Sequence, residues 1–318
     1  MPPGFGRDSH IGWVEEDPYG TVVTPPTKFL EPIAESIRTI RTRTPRPNFR
    51  KLDVAEGDTY DEKFGAEGGF TGEINYNDAL NLYLHAFGAE VIAVLEAAIS
   101  WTHTFTLTDL LQTAKGLTFY SHKGVDEYQA QGCKIDQLRL TFDPTRNGQL
   151  EVSIAGQDVV GVAFSTPSFP DIARYVPGHA TLMEIDDVAR NFDLAELTLN
   201  NALDIDKRIL GSKSIDEPVR GDGMREVTGV LTVDAEATDW DNFRAGTLFK
   251  LEILHTGPVL GANNFLYNLT ALKCLLLSDP IRLENAGIVK AEWEFMVQKP
   301  TAGEMLELVV VNDEEFNL

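Results

Sequence analysis

A chain of 318 residues that is 43% hydrophobic has enough apolar surface for a substantial core, and it contains no run of about 18 apolar residues that would make a membrane-spanning helix. Its 49 acidic residues against 27 Lys and Arg give a net charge of −22, which excludes tight binding of nucleic acid through its phosphates, because that needs clustered cations to displace counterions. The opening residues Met1 to Asp8 lack the basic and apolar stretches of a secretory signal, so a soluble protein in a reducing cytosol is expected, with Cys133 and Cys274 as small buried apolar side chains rather than a bridge.

The first 34 residues hold Gly4, Gly6, Gly12 and Gly20 with Pro2, Pro3, Pro18, Pro25 and Pro26, a density of turn formers that predicts an extended arm with little core of its own. Next come Arg38, Arg41, Arg43, Arg46, Arg50 and Lys51, beside Pro45 and Pro47. A basic segment on so acidic a protein reads either as a contact for the acidic face of a neighbouring copy or as a solvated strand. The Gly-rich acidic stretch from Glu56 to Gly69 predicts a long exposed loop or hairpin tip, and loops of that length commonly form interfaces.

A helix is expected between Asn77, read as its N-cap, and Gly88, which suits a left-handed C-terminal residue; Leu80, Leu82, Leu84 and Phe87 supply its apolar side chains. A second helical piece is read over Ala89 to Ala98. Beyond it the pattern turns to period two. Gln137 to Phe142 and Gln149 to Ile154 predict a hairpin turning at Asn147-Gly148, a pair that tolerates positive φ. Glu196 to Asn200, Val230 to Asp234, Phe249 to Ile253 and Val289 to Phe295 alternate in the same way. The fold class that follows is mainly β, an antiparallel sandwich or barrel with one packed helix. It divides into an arm (1–34), a first β half (35–165) and a second β half (178–312), joined through the Pro- and Ser-rich stretch Ser165 to Pro177.

Signs of chemistry are few. No G-x-S-x-G, Walker, H-E-x-x-H or C-x-x-C motif occurs, and Gly4-Phe5-Gly6 has Ser9 where a dinucleotide loop needs its third glycine. The six histidines, His85 on the predicted helix among them, lack metal-ligand spacing, so neither a metal nor a cofactor is expected. Carboxylate pairs such as Asp186-Asp187, Glu292 with Glu294, and Asp313-Glu314-Glu315 are too numerous to single out a glycosidase acid and nucleophile. Trp293, alternating with Phe295, reads as core, and the sequon at Asn268 has no secretory context.

One run of short motifs carries a resemblance. Ile11-Gly12-Trp13-Val14-Glu15-Glu16-Asp17-Pro18-Tyr19-Gly20-Thr21 is followed by Thr71-Gly72-Glu73-Ile74 before the helix. Leu117-Thr118-Phe119-Tyr120, Gly132 to Leu138, the Asn147-Gly148 hairpin, Leu197 to Asn201 and Arg225-Glu226-Val227-Thr228-Gly229 then follow. In this order they resemble the tail tube proteins of tailed phages, over nearly the whole chain.

That resemblance implies a structural, non-enzymatic virion protein. Its inner strands would join those of five neighbours in hexameric rings, and stacked rings would make a hollow conduit for the genome, with the helix outside and the long loop and termini bridging subunits. Arg38, Arg41, Arg43, Arg46, Arg50, Lys51, Asp58, Tyr60 and Phe64 are the expected inter-subunit contacts, and Gln149, Glu151 and Ser153 the expected lumen-facing residues. The expected partners are other copies of the chain, then tape-measure, tail terminator and baseplate or tip proteins. DNA would pass without specific binding, no membrane would be involved, and the tail would be assembled in the host cytoplasm. A different tube or baseplate component, or a β-sandwich carbohydrate-binding module or glycosidase, are the other readings.

Overall fold

The computed structural model describes residues 9–45, 59–108, 115–163, 165–169, 174–205, 212, 216–218, 221, 223–236, 238–279 and 290–315. The first half contains β1 (His10–Glu16), β2 (Lys28–Leu30), β3 (Pro32–Glu35), β4 (Arg38–Pro45), β5 (Thr59–Glu73), α1 (Leu80–Phe87), β6 (Gly88–Glu96), β7 (Ser100–Leu107), β8 (Gly116–His122), β9 (Glu127–Phe142), β10 (Gln149–Gly156) and β11 (Asp158–Val162). The second contains β12 (Leu182–Ile185), β13 (Val188–Ala189), β14 (Phe192–Asn200), β15 (Glu226–Asp234), α2 (Asp239–Ala245), β16 (Leu248–Leu260), β17 (Asn263–Leu276), β18 (Lys290–Val297) and β19 (Leu306–Asn312).

Every described ladder is antiparallel. One path of hydrogen bonds runs β4–β5–β10–β9–β14–β15–β18–β17–β19–β7–β6, with β16, β12 and β13 on the other side of β17 and β3 beside β5. The sheet doubles back without closing into a barrel. Phe142 of β9 meets Tyr267 of β17 at 5.9 Å between ring centroids, although three strands separate them along the path, so the two layers share one core. A smaller ladder, β2–β1–β8–β9–β11, uses the first half of β9. The strand changes ladders at Gly132, where φ is +60° and a Cβ would lie 2.8 Å from the Gln157 side chain, a place only glycine fills.

The alternating runs behave as their pattern requires. In β14, β15 and β18 every second residue is buried, Leu197, Leu199, Leu231, Val233, Trp293 and Phe295 among them, and each such large side chain contributes roughly 1.5–3 kcal/mol by leaving water. Val289 lies outside the described residues. Cys133 and Cys274 are free and buried, as expected of small apolar side chains.

Five readings are corrected. The N-terminal arm is not free: β1 is buried and paired on both sides, with Trp13 and Ile11 fully enclosed, because Gly12 lets the Phe29 ring pack 3.0 Å from where a Cβ would sit. From Thr59 onward the acidic Gly-rich stretch is strand rather than loop, since β5 pairs with β4 on one side and β10 on the other. The helix starts at Leu80, and the side chain that caps the chain before it is Asn75, whose Oδ1 accepts from the N–H groups of Asn77 and Asp78. All residues of α1 are buried within the chain; Tyr83 packs on Phe105 and Tyr267, and Arg225 donates to the helix-end carbonyls of Ala86 and Phe87. Ala89 to Ala98 is not helical. Gly88, at φ +102° with its N–H on Leu84 O, ends α1 as expected, and the β-branched Val91, Ile92 and Val94 continue as β6. Asn147-Gly148 is not the turn of the β9–β10 hairpin: neither residue has positive φ, and the reversal is made by Asp143 to Arg146, with Asp143 Oδ1 accepting from Thr145.

Candidate assembly surfaces

No cavity lined by convergent polar groups dominates the described residues; surfaces and sheet edges do. One continuous surface is the solvent face of β5, β10, β9, β14, β15 and β18. Register sets Glu151 between Thr71 and Arg139, Thr198 between Arg139 and Thr228, and Val230 between Glu196 and Glu294. On this face Glu73, Glu151, Glu196, Glu226, Asp234, Glu292 and Glu294 stand beside Arg139 and Lys290. Arg139 bridges Glu196 at 2.5 Å and Glu151 at 3.5 Å, and Lys290 bridges Asp234 and Asp193 at 2.5 and 3.0 Å, so both cations are held by carboxylates. The three residues expected to face a lumen lie here, Glu151 exposed and Gln149 and Ser153 half-buried.

At one end of this face the β4–β5 hairpin carries the expected contact residues. Arg38, Arg41 and Arg43 are exposed on β4, and Arg38 donates twice to Glu67 Oε1, at 2.8 and 3.0 Å. Register places Arg41 opposite Phe64, Arg43 opposite Asp61 and Thr44 opposite Tyr60. Arg46, Arg50, Lys51 and Asp58 lie outside the described residues. An open groove of about 510 Å³ joins the two predicted sets, with Arg38 and Glu67 on one wall and Glu151 and Ser153 on the other.

The acidic C-terminal residues are tied to the body. Asp313 accepts from Arg174 at 2.7 Å and Asn77 at 2.8 Å, and Glu314 pairs with Lys28 of β2. The fully buried His103 ring lies 2.7 Å from Glu90 Oε1 through Nδ1 and 3.1 Å from both Asn312 Oδ1 and the Glu314 carbonyl through Nε2. Burial drives another enclosed imidazole, His85, down to about 3, so it sits neutral in the helix, 4.0 Å from Glu15. Glu184, Asp187 and Glu252 bring carboxylate oxygens together at the β12–β16 ladder, but the Lys250 ammonium stands 2.7 Å from Asp187 and 2.8 Å from Glu252, and its hydrogen bonds to them raise its own pKa.

Sequence reasoning missed the opposite edge of the sheet. Along β6 the exposed residues are consecutive rather than alternate, with Val91 64%, Ile92 41%, Val94 61% and Leu95 49% exposed. A strand exposed on both faces gives no period-two signal, and the signal present, apolar β-branched residues after a left-handed Gly88, was outweighed by Ala and Glu.

Comparison with curated proteins returns no match. The family model described as phage tail tube protein matches residues 6–297, from before β1 to the end of β18, so the smaller ladder, the acidic face and every strand of the main path except β19 fall within it. The chain belongs to the phage tail tube protein family.

Proposed function

We propose that the chain closes head to tail into hexameric rings that stack into a hollow tail tube, with the acidic strand face turned to the lumen and the β4–β5 hairpin reaching a neighbour. Family membership supports the structural role in a virion tail. The observation that carries the lumen assignment is the wide solvent face on which carboxylates outnumber Arg139 and Lys290. Such a wall repels phosphates, so DNA slides through without a site that grips it. Arg38, Arg41 and Arg43, with Tyr60 and Phe64 opposite on β5, then meet the acidic surface of the next copy, where unlike charge speeds and orients docking.

A head-to-tail contact that closes makes a ring, and it consumes the sheet edges that would otherwise invite irregular association. Tape-measure, terminator and tip or baseplate proteins meet the finished tube, which is assembled in the host cytoplasm and catalyses nothing.

Negative-stain electron microscopy of the purified protein at rising concentration tests this reading. Hollow sixfold rings or tubes are expected, and a monomeric field at every concentration refutes it. The lumen assignment is tested separately by reconstructing those tubes: a bore lined by the basic β4 segment rather than the acidic face overturns it.

A further inference from the structure

The two end strands of the main pairing path differ in character. β4 is guarded by exposed Arg38, Arg41 and Arg43, the kind of charge that keeps free edges from pairing at random. β6 has no such guard. Its residues from Val91 to Leu95 are uncharged, exposed and free of proline, and among the described residues its strand ladder is with β7 alone.

The glutamates that bracket this run are both engaged within the chain. Glu90, whose side chain is 5% exposed, is held 2.7 Å from the buried His103 ring at the base of the hairpin. Glu96 at the tip accepts the Ala262 N–H at 2.8 Å, and Asn263 Nδ2 donates to Ser100 Oγ at 3.0 Å, so the β6–β7 tip is fastened to the β16–β17 tip. Val259 on that second tip is 76% exposed and Ile99 on the first 38%. The hairpin is therefore tied to its neighbour, with both flanking carboxylates already partnered within the chain.

We infer that β6 is the strand to which a second copy of this chain adds its β4, the two end strands pairing across the subunit boundary. This rests on the tube reading, and it names an edge that the basic segment alone does not supply. Two copies each of net charge −22 repel over most of their surfaces, and an uncharged edge is where approach costs least. The strands match in length, nine residues in β6 and eight in β4. β6 and β4 are also unlike, so their pairing is head to tail and continues the sheet from copy to copy.

The test uses the full chain. Val91→Asp with Val94→Asp places two charges at exposed positions, so the fold is expected to keep its thermal melt while rings and tubes fall at least tenfold in sedimentation and electron microscopy. Met224→Asp, at a site 77% exposed but distant along the path, is the control expected to assemble normally. Variants carrying one added cysteine, Ala93→Cys or Thr42→Cys, treated with a short bismaleimide, should give a dimer band when mixed and little when separate; the native Cys133 and Cys274 are buried and stay silent. Normal tubes from the double-Asp variant, or cross-linking of Ala93→Cys to itself alone, overturn the inference while leaving the tube reading intact. A wild-type chain that never assembles refutes the tube reading and the inference with it.

Discussion

Replacing Asp78 by Asn tests the electrostatics of the site where Lys28 of β2 meets Asp78 and Glu314. Asp78 is 8% exposed, its Oδ2 has no hydrogen-bond partner, and the Lys28 ammonium is 3.8 Å from its other oxygen. Burial is the main cause of a pKa raised from the usual 3.8 to about 6; Glu314 adds to the rise, while Lys28, Arg174 and Asn75 oppose it. A carboxyl that binds its proton more tightly folded than unfolded favours the fold fully below about pH 4, and that advantage is lost as pH rises through about 6. A rise of about two units corresponds to about 3 kcal/mol between the two protonation states. Asn keeps the shape but cannot ionise, and it forfeits the attraction to Lys28, so the net gain at pH 8 is expected to be about 1–2 kcal/mol, or a few degrees in Tm. Calorimetric melts of dilute protein at pH 4.5, 6 and 8 should show the variant ahead at pH 8 and level with or behind wild type at pH 4.5. A variant that loses 1 kcal/mol or more at pH 8 with an unchanged pH profile refutes the reasoning, since Asp78 would then act chiefly as a partner for Lys28.

Arg225→Ala strips donors from the carbonyls of Ala86, Phe87 and Thr108 and is expected to cost about 2–4 kcal/mol in urea unfolding, with Arg225→Lys recovering less than half. Gly229→Ala would put a Cβ 2.3 Å from the Phe295 ring and 2.5 Å from the Glu196 carbonyl, and a loss of at least about 2 kcal/mol is expected by the same measurement. Ala98, at φ +60° in the β6–β7 turn, should gain about 0.5–1 kcal/mol on substitution by Gly, read as a raised Tm. Burial pushes the Cys133 and Cys274 thiols up, so neither should react with a thiol reagent at pH 8 until urea unfolds the chain; reaction within seconds in the folded protein counts against this account.

The strands that were legible in the sequence are those with one dry and one wet face. Leu197, Leu199, Val233, Trp293 and Phe295 alternate with polar residues because the sheet is solvated on one side, and the same condition lays out the acidic surface. β1 was misread because its glycine is a packing device, not a turn: Phe29 fills the space above Gly12. β6 was misread for the opposite reason, since a projecting edge is wet on both faces and loses its alternation. The candidate assembly surfaces are only half legible in the sequence. Composition marks the arginines of β4, but which edge lies at the far end of the sheet follows from pairings such as Val310 with His103, which join residues about two hundred positions apart and leave no local trace.

Those distant pairings also set the order in which the fold can be completed. β19 lies between β17 and β7, so until residues 306–312 are synthesised β7 has no neighbour on that side and the ladder from β17 to β6 is cut in two. A nascent chain halted before Leu306 carries two open strand edges and an unfilled slot in its core, which favours aggregation and chaperone capture. The Lys28 to Glu314 pair extends the same dependence to nearly the full described length, a high contact order that calls for slow folding. The β6 edge thus takes its place in the sheet only after β19 is in position, so under the proposed assembly only completed chains would join a growing tube and prematurely terminated ones would be left out.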